Sequence, residues 1–399
     1  MRQASNLNWS SPGLPGDPGL LRRLNLAAAV QAFWETESTT IAQLREVMQV
    51  SRPTAEGVLT DLIARGDVEE VEVARSPAPR GAGRPPKLYQ LVSRSRYVVG
   101  LDIGAHTIGC VITDLRGAIL QRRRRRVHPR ARPATRLSAA AVLVADVAAD
   151  LAVDVSRIVG HGAGVTGLTH DARGSADITT LPAGPGLHTY SLPGFADIDP
   201  GAEISAALGG DVVIDNDIKL AALAEWAGGA AAHVDDVVYM HAGRRLGSAV
   251  VVGGHVLQGR HGLAGEIGSM RMLGWHEAMT AFEHIRERFR SSRTGDGAVE
   301  LLAAARRSEP DAVEAVDRVA VALALGASAL VHAVDPALVV LGGGLSRAGE
   351  PLTTPFTAHL QETSFFPREV VVSEFGEHAV AVGAARLAVE AFRERMVGV

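Results

Sequence analysis

Apolar positions change period along this chain, and the changes mark its organisation. Residues 1–19 carry Ser, Pro, Gly and Asn without an apolar period, which predicts a disordered tail. From Leu20 the pattern turns helical: Leu21, Leu24, Ala28, Val30 and Phe33 predict a helix to about Trp34. Thr39 or Thr40 can cap a second helix through Val47. Ser51 can cap a third, with Pro53 close behind, running to about Ala64. Two helices joined by residues 48–50 predict a helix-turn-helix with Ile41, Leu44, Met48, Val58, Leu59 and Leu62 as its core. Residues 68–73 and 87–92 read as two strands around a loop rich in Arg and Pro, which makes a winged helix of residues 20–92.

The remaining pattern is organised around residues 98–115, VVGLDIGAHTIGCVITDL. It reads as a strand to Leu101, a small-residue turn over 102–107 and a second strand from Ile108, a hairpin with Asp102 at its bend. Glycine in such a bend lets backbone N–H groups approach an anion. Strands are expected at 118–127, 157–164, 211–214, 237–241, 247–252, 338–341 and 370–373. Helices are expected at 136–151, 218–227, 278–289, 298–307, 311–333 and 380–395. Their alternation predicts an α/β body with a largely parallel sheet. Residues 168–201 read mostly as loop.

Composition adds bounds rather than chemistry. With 399 residues, 47% hydrophobic and 21% charged, the chain is an ordinary globular protein too long for one core. A lone Cys110 excludes an internal disulfide and any cysteine-rich zinc site within one chain. No apolar run of membrane length and no signal-peptide core predict a cytoplasmic protein with no membrane partner. The net charge of −4 does not decide for or against nucleic acid, so local charge must.

The loop from Arg75 to Lys87 carries four positive charges and no acid. Arg52, at the start of the third helix, can meet a major-groove edge or a phosphate, and the Arg84-Pro pair suits a narrow minor groove. Candidate DNA contacts are Ser51, Arg52, Thr54, Arg80, Arg84 and Lys87; a protein-docking module is the alternative. Arg122 to Arg126 reads as a solvated edge strand, with an auxiliary DNA or partner contact as the other reading. Asp217 lies where a strand gives way to a helix, where α/β proteins place ligand chemistry. It can act as a general base or merely as a helix N-cap. Glu266, among small residues in GLAGEIG, is placed to accept hydrogen bonds from a polyhydroxy ligand, or to be a buried paired carboxylate.

Taken together, LRRLNLAAAV, SRPTAEGVL, GRPPKLY, DIGAHTI, DNDIKLAALAE, GLAGEIG and DPALVVLGGGLS resemble the ROK family of sugar kinases and the transcriptional repressors derived from them. The resemblance runs from Leu21 onward. It implies an α/β chain: an N-terminal winged helix-turn-helix followed by a two-lobed actin-like ATPase (ribonuclease H-like) domain over 97–399, with a sugar cleft between lobes. The smaller lobe would be 97–216 plus 380–399, the larger 217–379. By the same resemblance Asp217 is the catalytic aspartate, and Asn216, Asp217, Lys219, Glu266 and Glu283 belong to the ligand site. Asp102, Gly104, Gly243, Gly247, Gly342 and Gly343 belong to the phosphate turns.

The departures from the family pattern favour a regulator over an enzyme. Ala105-His106-Thr107-Ile108 replaces the kinases' Gly-Thr-Lys, and Gly243-Arg-Arg-Leu-Gly247 replaces Gly-Thr-Gly-x-Gly, where two arginines obstruct a triphosphate or grip an anion. Lys219 replaces a usual asparagine, Ser191 replaces a sugar-contacting one, and Ser269 stands at the zinc histidine with no cysteine following. No metal and no ATP are therefore expected. The expected partners are a double-stranded DNA operator and a sugar or sugar-derived effector, bound by a homodimer or homotetramer. The alternatives are a bifunctional ATP-dependent sugar kinase and an effector-independent DNA-binding dimer.

Overall fold

The computed structural model describes residues 18–71, 86–167, 192–290 and 297–397. Residues 1–17, the loop with Arg80 and Arg84, and the segment with Ser191 lie outside the described residues. The chain divides into two units, Met1–Ser95 with Phe392–Val399, and Arg96–Ala391.

The first unit begins with α1 (Pro18–Glu35), so helix starts two residues inside the expected tail. A two-residue strand, β1 (Thr39–Thr40), precedes α2 (Ile41–Met48) and α3 (Arg52–Ala64). Thr40 is the α2 cap: its side chain accepts from the Gln43 N–H while the Gln43 side chain accepts from the Thr40 N–H, closing a reciprocal capping box. Gln49, in the left-handed region at φ 53°, ends α2, and Ser51 caps α3 with Pro53 in its first turn, where a missing N–H costs nothing. β2 (Val68–Val71) and β3 (Leu88–Leu91) complete an antiparallel sheet in the order β1-β3-β2. Phe33, Leu44, Met48, Val58, Leu59 and Leu62 are buried beneath it; Ile41 is only half-buried.

The second unit contains two five-stranded sheets of the same topology. In the first, β4 (Tyr97–Ile103), β5 (Thr107–Asp114) and β6 (Ile119–Arg126) form an antiparallel meander. β7 (Ile158–Val165) and β8 (Val212–Asn216) then extend β4 in parallel, giving the order β6-β5-β4-β7-β8. The second repeats the plan as β11-β10-β9-β12-β13, from β9 (Val237–Ala242), β10 (Leu246–Val252), β11 (His255–Val256), β12 (Leu338–Gly342) and β13 (Glu369–Val372). The largely parallel sheet expected from the sequence is thus half antiparallel, because each lobe opens with a meander before its crossovers. β6, with its arginine run, is an edge strand.

Helices cover the sheets: α4 (Pro133–Asp150) and α5 (Pro200–Leu208) in the first lobe, α6 (Asp217–Gly228) after β8, and α7 (Trp275–Arg288), α8 (Gly297–Arg306), α9 (Pro310–Val334) and α10 (Glu350–Thr363) in the second. α10 is a helix that the apolar pattern of the chain does not predict. Its apolar spacing, Leu352, Phe356 and Leu360, is carried through Pro355, and burial of that face holds the helix. α9 is long and apolar enough to cross a membrane. Most of its apolar window is buried as the core helix of the second lobe, packed with Trp275, Phe282 and Leu341.

The last helix, α11 (Ala379–Val397), approaches the first sheet backbone to backbone over its residues 379–391. A Cβ on Gly162 would lie 1.9 Å from the Ala384 carbonyl, and one on Gly383 would lie 1.8 Å from the Leu220 carbonyl on α6. Either side chain would force main chain apart. We predict that Gly383→Val destabilises the protein by about 3 kcal/mol or prevents its folding. Gly228→Ala, on the open end of α6 with nothing within 4 Å, should be neutral or stabilising by about 0.5 kcal/mol. Urea denaturation of the two variants checks both.

Candidate functional site

The equivalent hairpin turns of the two sheets face one cavity of about 1320 Å³. His106 and Thr107 line it from the β4–β5 turn, and Gly243 to Gly247 from the β9–β10 turn. The first turn is fixed from behind by Arg136 of α4. Its fully buried guanidinium donates to the carbonyls of Gly104 at 2.5 Å and Ala105 at 3.1 Å, and to those of His128 and Pro129 at 3.4 Å. A charge without a carboxylate partner is tolerated there because four carbonyl dipoles surround it.

Asp102 lies inside β4 rather than at a bend, since β4 continues to Ile103 and pairs Asp102 with Gly109. Strand alternation buries Leu101 and Ile103 in the core and turns Asp102 onto the cavity. Burial pushes its carboxyl up to about 8, and Asp217 adds to the shift. Asp217, the first residue of α6, accepts from the Thr166 hydroxyl at 2.8 Å and from the Ile218 N–H at 2.9 Å. Burial raises it to about 6, against the pull of Thr166, Ile218 and Arg245. The N-cap weighed for Asp217 is Asn216: its Oδ1 accepts from the Ile218 and Lys219 N–H groups, and its Nδ2 donates to the Gly167 carbonyl at 2.8 Å. With the cap supplied by its neighbour, Asp217 keeps a carboxylate on the cavity wall, and a carboxyl raised to about 6 there can accept a proton once ionised.

Glu266 lines the same wall, raised by burial and by Asp217 and lowered by Lys219. Its loop is tied down where Ser248 Oγ donates to the Gly265 carbonyl at 2.7 Å. Lys219, expected at the ligand, does not line the cavity. It is 2% exposed, and its ammonium donates to Gln258 Oε1 and to the Gly262 carbonyl, both at 2.8 Å. Its charge holds the Gly-rich loop and balances Asp215 and Glu266. Glu283, on α7, reaches the cavity paired with Arg286 at 2.5 Å.

Of the expected phosphate-turn residues, Gly243, Gly247 and Gly343 line the cavity with Asp102. Gly104 and Gly342 do not. Gly104 closes the hairpin through its N–H to the Thr107 carbonyl, and Gly342 makes room for the Tyr239 hydroxyl. The Gly243 N–H is likewise spent within its turn on the Arg245 carbonyl. No local pattern in the chain signals Thr166, Tyr239 and His241 on β9, or Arg347 and Glu377, all of which line the cavity. Burial lowers His241 to about 4, so its ring is neutral, and its Nδ1 has no partner among the described residues. The zinc site that the family resemblance implies does not fit the residues present: Ser269 Oγ is turned to the Glu266 carbonyl and His276 is exposed on α7. Among the described residues no three His, Cys, Asp or Glu side chains group as ligands.

In the first unit Ser51, Arg52 and Thr54 stand together on the exposed start of α3. The Ser51 and Thr54 hydroxyls bond each other at 2.8 Å, and Arg52 pairs with Glu56 at 2.8 Å. Lys87 pairs with Glu70 at 2.6 Å. These exposed pairs are weak and are readily exchanged for another anion.

The model of the ROK family matches residues 98–391. A putative xylose repressor of Caldicellulosiruptor sp. (strain Rt8B.4) is 22% identical, over 94% of this chain and 97% of its own. A glucokinase of Halalkalibacterium halodurans is 26% identical over 70% of this chain and 89% of its own. A solved ROK family transcriptional regulator, described as a homologue of the E. coli MLC protein, has the same fold over 94% of this chain and 98% of its own, at 19% identity and a TM-score of 0.66.

The two buried carboxyls set a pH dependence. A carboxyl raised in the fold holds its proton where the unfolded chain has lost it, so stability is full below the unfolded value near 4 and falls as pH rises through 6 and 8. Asp102→Asn should flatten that decline and, at pH 8, stabilise the protein by more than about 1.4 kcal/mol, the equivalent of one pKa unit. Thermal unfolding of both proteins from pH 5 to 8.5 tests it.

Proposed function

This chain belongs to the ROK family, and from that premise we propose that it is a DNA-binding transcriptional regulator, a repressor by its relatives, whose kinase-like body senses a sugar or sugar-derived ligand. The observation that carries this reading is the first unit, which precedes the matched family region: α2 and α3 joined by a tight turn, with a three-stranded antiparallel sheet, the parts of a winged helix-turn-helix. The repressor and regulator relatives extend over 94% of this chain, including this region, whereas the glucokinase relative covers 70%.

In this reading α3 enters the major groove, with Ser51, Arg52 and Thr54 at its leading turn, and Lys87 meets the backbone; Arg80 and Arg84 are proposed for the minor groove. The body binds its ligand through Asp217 and Glu266, with Asn216 and Glu283 alongside. A homodimer or homotetramer presents two heads to an operator, and the ligand shifts a closure equilibrium only by its differential affinity for the two arrangements. The altered phosphate turn supports a sensor over an enzyme, since Arg244 and Arg245 stand exposed on the cavity and the Gly243 N–H is already used. A second reading, an ATP-dependent sugar kinase, is favoured by the position of Asp217 and by the glucokinase relatives.

Two measurements decide between them. Genomic DNA retained by the protein should yield a defined site, and Arg52→Ala should weaken binding to that site at least tenfold, the loss of one base contact, without unfolding the protein. In an ATP-coupled assay across hexoses and amino sugars we expect no turnover. Turnover abolished by Asp217→Asn would establish the kinase reading instead.

A further inference from the structure

One carboxylate stands between two guanidiniums that come from opposite lobes. Arg124 projects from β6, the edge of the first sheet, and Arg347 from the short turn Gly344–Ala348 that follows β12 in the second. Each is ion-paired with a different oxygen of Glu377. Glu377 sits in the turn Gly376–His378 that leads into α11. The stretch before it is anchored by the buried Glu225 of α6, which accepts from the Ser373 hydroxyl and from the N–H groups of Glu374 and Phe375. Glu377 is therefore held at the cavity wall by its own backbone and bridges the lobes there.

Two guanidiniums around one carboxylate leave a positive charge over, and the surroundings enlarge the excess. Among the described residues seven arginines and five acids line the cavity, and two of the acids, Asp102 and Asp217, are pushed towards their neutral forms by burial. The buried Nε of Arg124 and that of Arg286 have no hydrogen-bond acceptor among the described residues. A neutral sugar can use the carboxylates Asp217 and Glu266 but not this excess. An anionic group can, through charge-assisted and bidentate bonds to arginine.

We propose that Arg124, Arg347 and Glu377 form an anion site held by an internal carboxylate, and that the effector is a sugar carrying an anionic group, a phosphate ester or a carboxylate, which displaces Glu377. This rests on the ligand-sensing reading above and names its ligand class. Displacement transfers the bridge between the lobes from a residue at the root of α11 to the ligand, so occupancy is felt at that helix.

The test is calorimetric titration of the full-length protein, without DNA, with glucose, xylose and N-acetylglucosamine, each beside its phosphate monoester and its sugar acid, and with inorganic phosphate and ADP. We expect one phosphorylated or acidic sugar to bind at least tenfold tighter than its neutral parent, with an advantage that shrinks as salt is raised; which of the two wins identifies the anion. Glu377→Gln should tighten that anion at least a further tenfold, and Arg347→Ala should remove the preference. The proposal is overturned if a neutral sugar binds as tightly as its anions, which leaves the sensing reading standing. It is also overturned if inorganic phosphate or ADP binds as tightly as any sugar anion, or if Glu377→Gln weakens the anion. Binding by none of the sugars overturns both readings. If Glu377→Gln does not fold, the wild-type panel, its salt dependence and Arg347→Ala still separate these outcomes.

Discussion

The second unit depends on a seam in which main chain touches main chain. α11 lies so close to β4, β7 and α6 that Gly100, Gly162 and Gly383 have no space for a side chain, their missing Cβ positions falling within 2 Å of carbonyl oxygens. Ala381, Ala384 and Ala385 supply the facing surface. Around this seam a single apolar cluster draws on both sheets, from Val111 on β5 to Val237 and Tyr239 on β9, with Ala379 to Val382 between them. Close packing of this kind has few intermediate states, so the two lobes meet along one defined line. The cavity walls, and the position of Glu377 at the start of α11, follow from it.

A second consequence is electrostatic. The seam and the strand alternation leave Asp102 and Asp217 buried at the cavity between the lobes, where burial raises both and Asp217 raises Asp102 further. The surrounding structure compensates with cations used in different ways. Lys219 and Arg136 are buried and spend their charge on backbone carbonyls that fix loops, whereas Arg124 and Arg347 are spent on Glu377 at the cavity wall. The same residue chemistry thus serves as scaffold in one place and as a site in another, and the difference lies in what each cation faces.

How much of this is legible in the chain differs by element. The helices of the first unit can be read almost to the residue, because Thr40 and Ser51 are local capping signals and a cap acts within its own turn. The strand-to-helix junction at Asn216 and Asp217 is legible as a place for chemistry, but the division of labour between the two is not. Which side chain caps a helix depends on rotamers set by Gly167 and Thr166, some fifty residues away. Asp102 reads as a bend residue because Gly104 and Ala105 follow it closely, while pairing with β5 extends the strand through Ile103. α10 escapes the pattern because Pro351 and Pro355 interrupt it, and only tertiary burial of Leu352, Phe356 and Leu360 outweighs them.

What the sequence determined by itself is therefore what short-range physics encodes: periodicity, caps, glycine turns and the ordered motifs that mark the family. What only the tertiary structure decided is where charges finish. Lys219, three positions from Asn216, is assigned to the ligand site by the family resemblance and is a buried strut. Arg124, Arg347 and Glu377, separated by up to 253 positions, carry no local sign of one another and form a bridge. The reason is that an ion pair is selected by proximity in space, and proximity here is set by the packing of α11, which no local pattern contains.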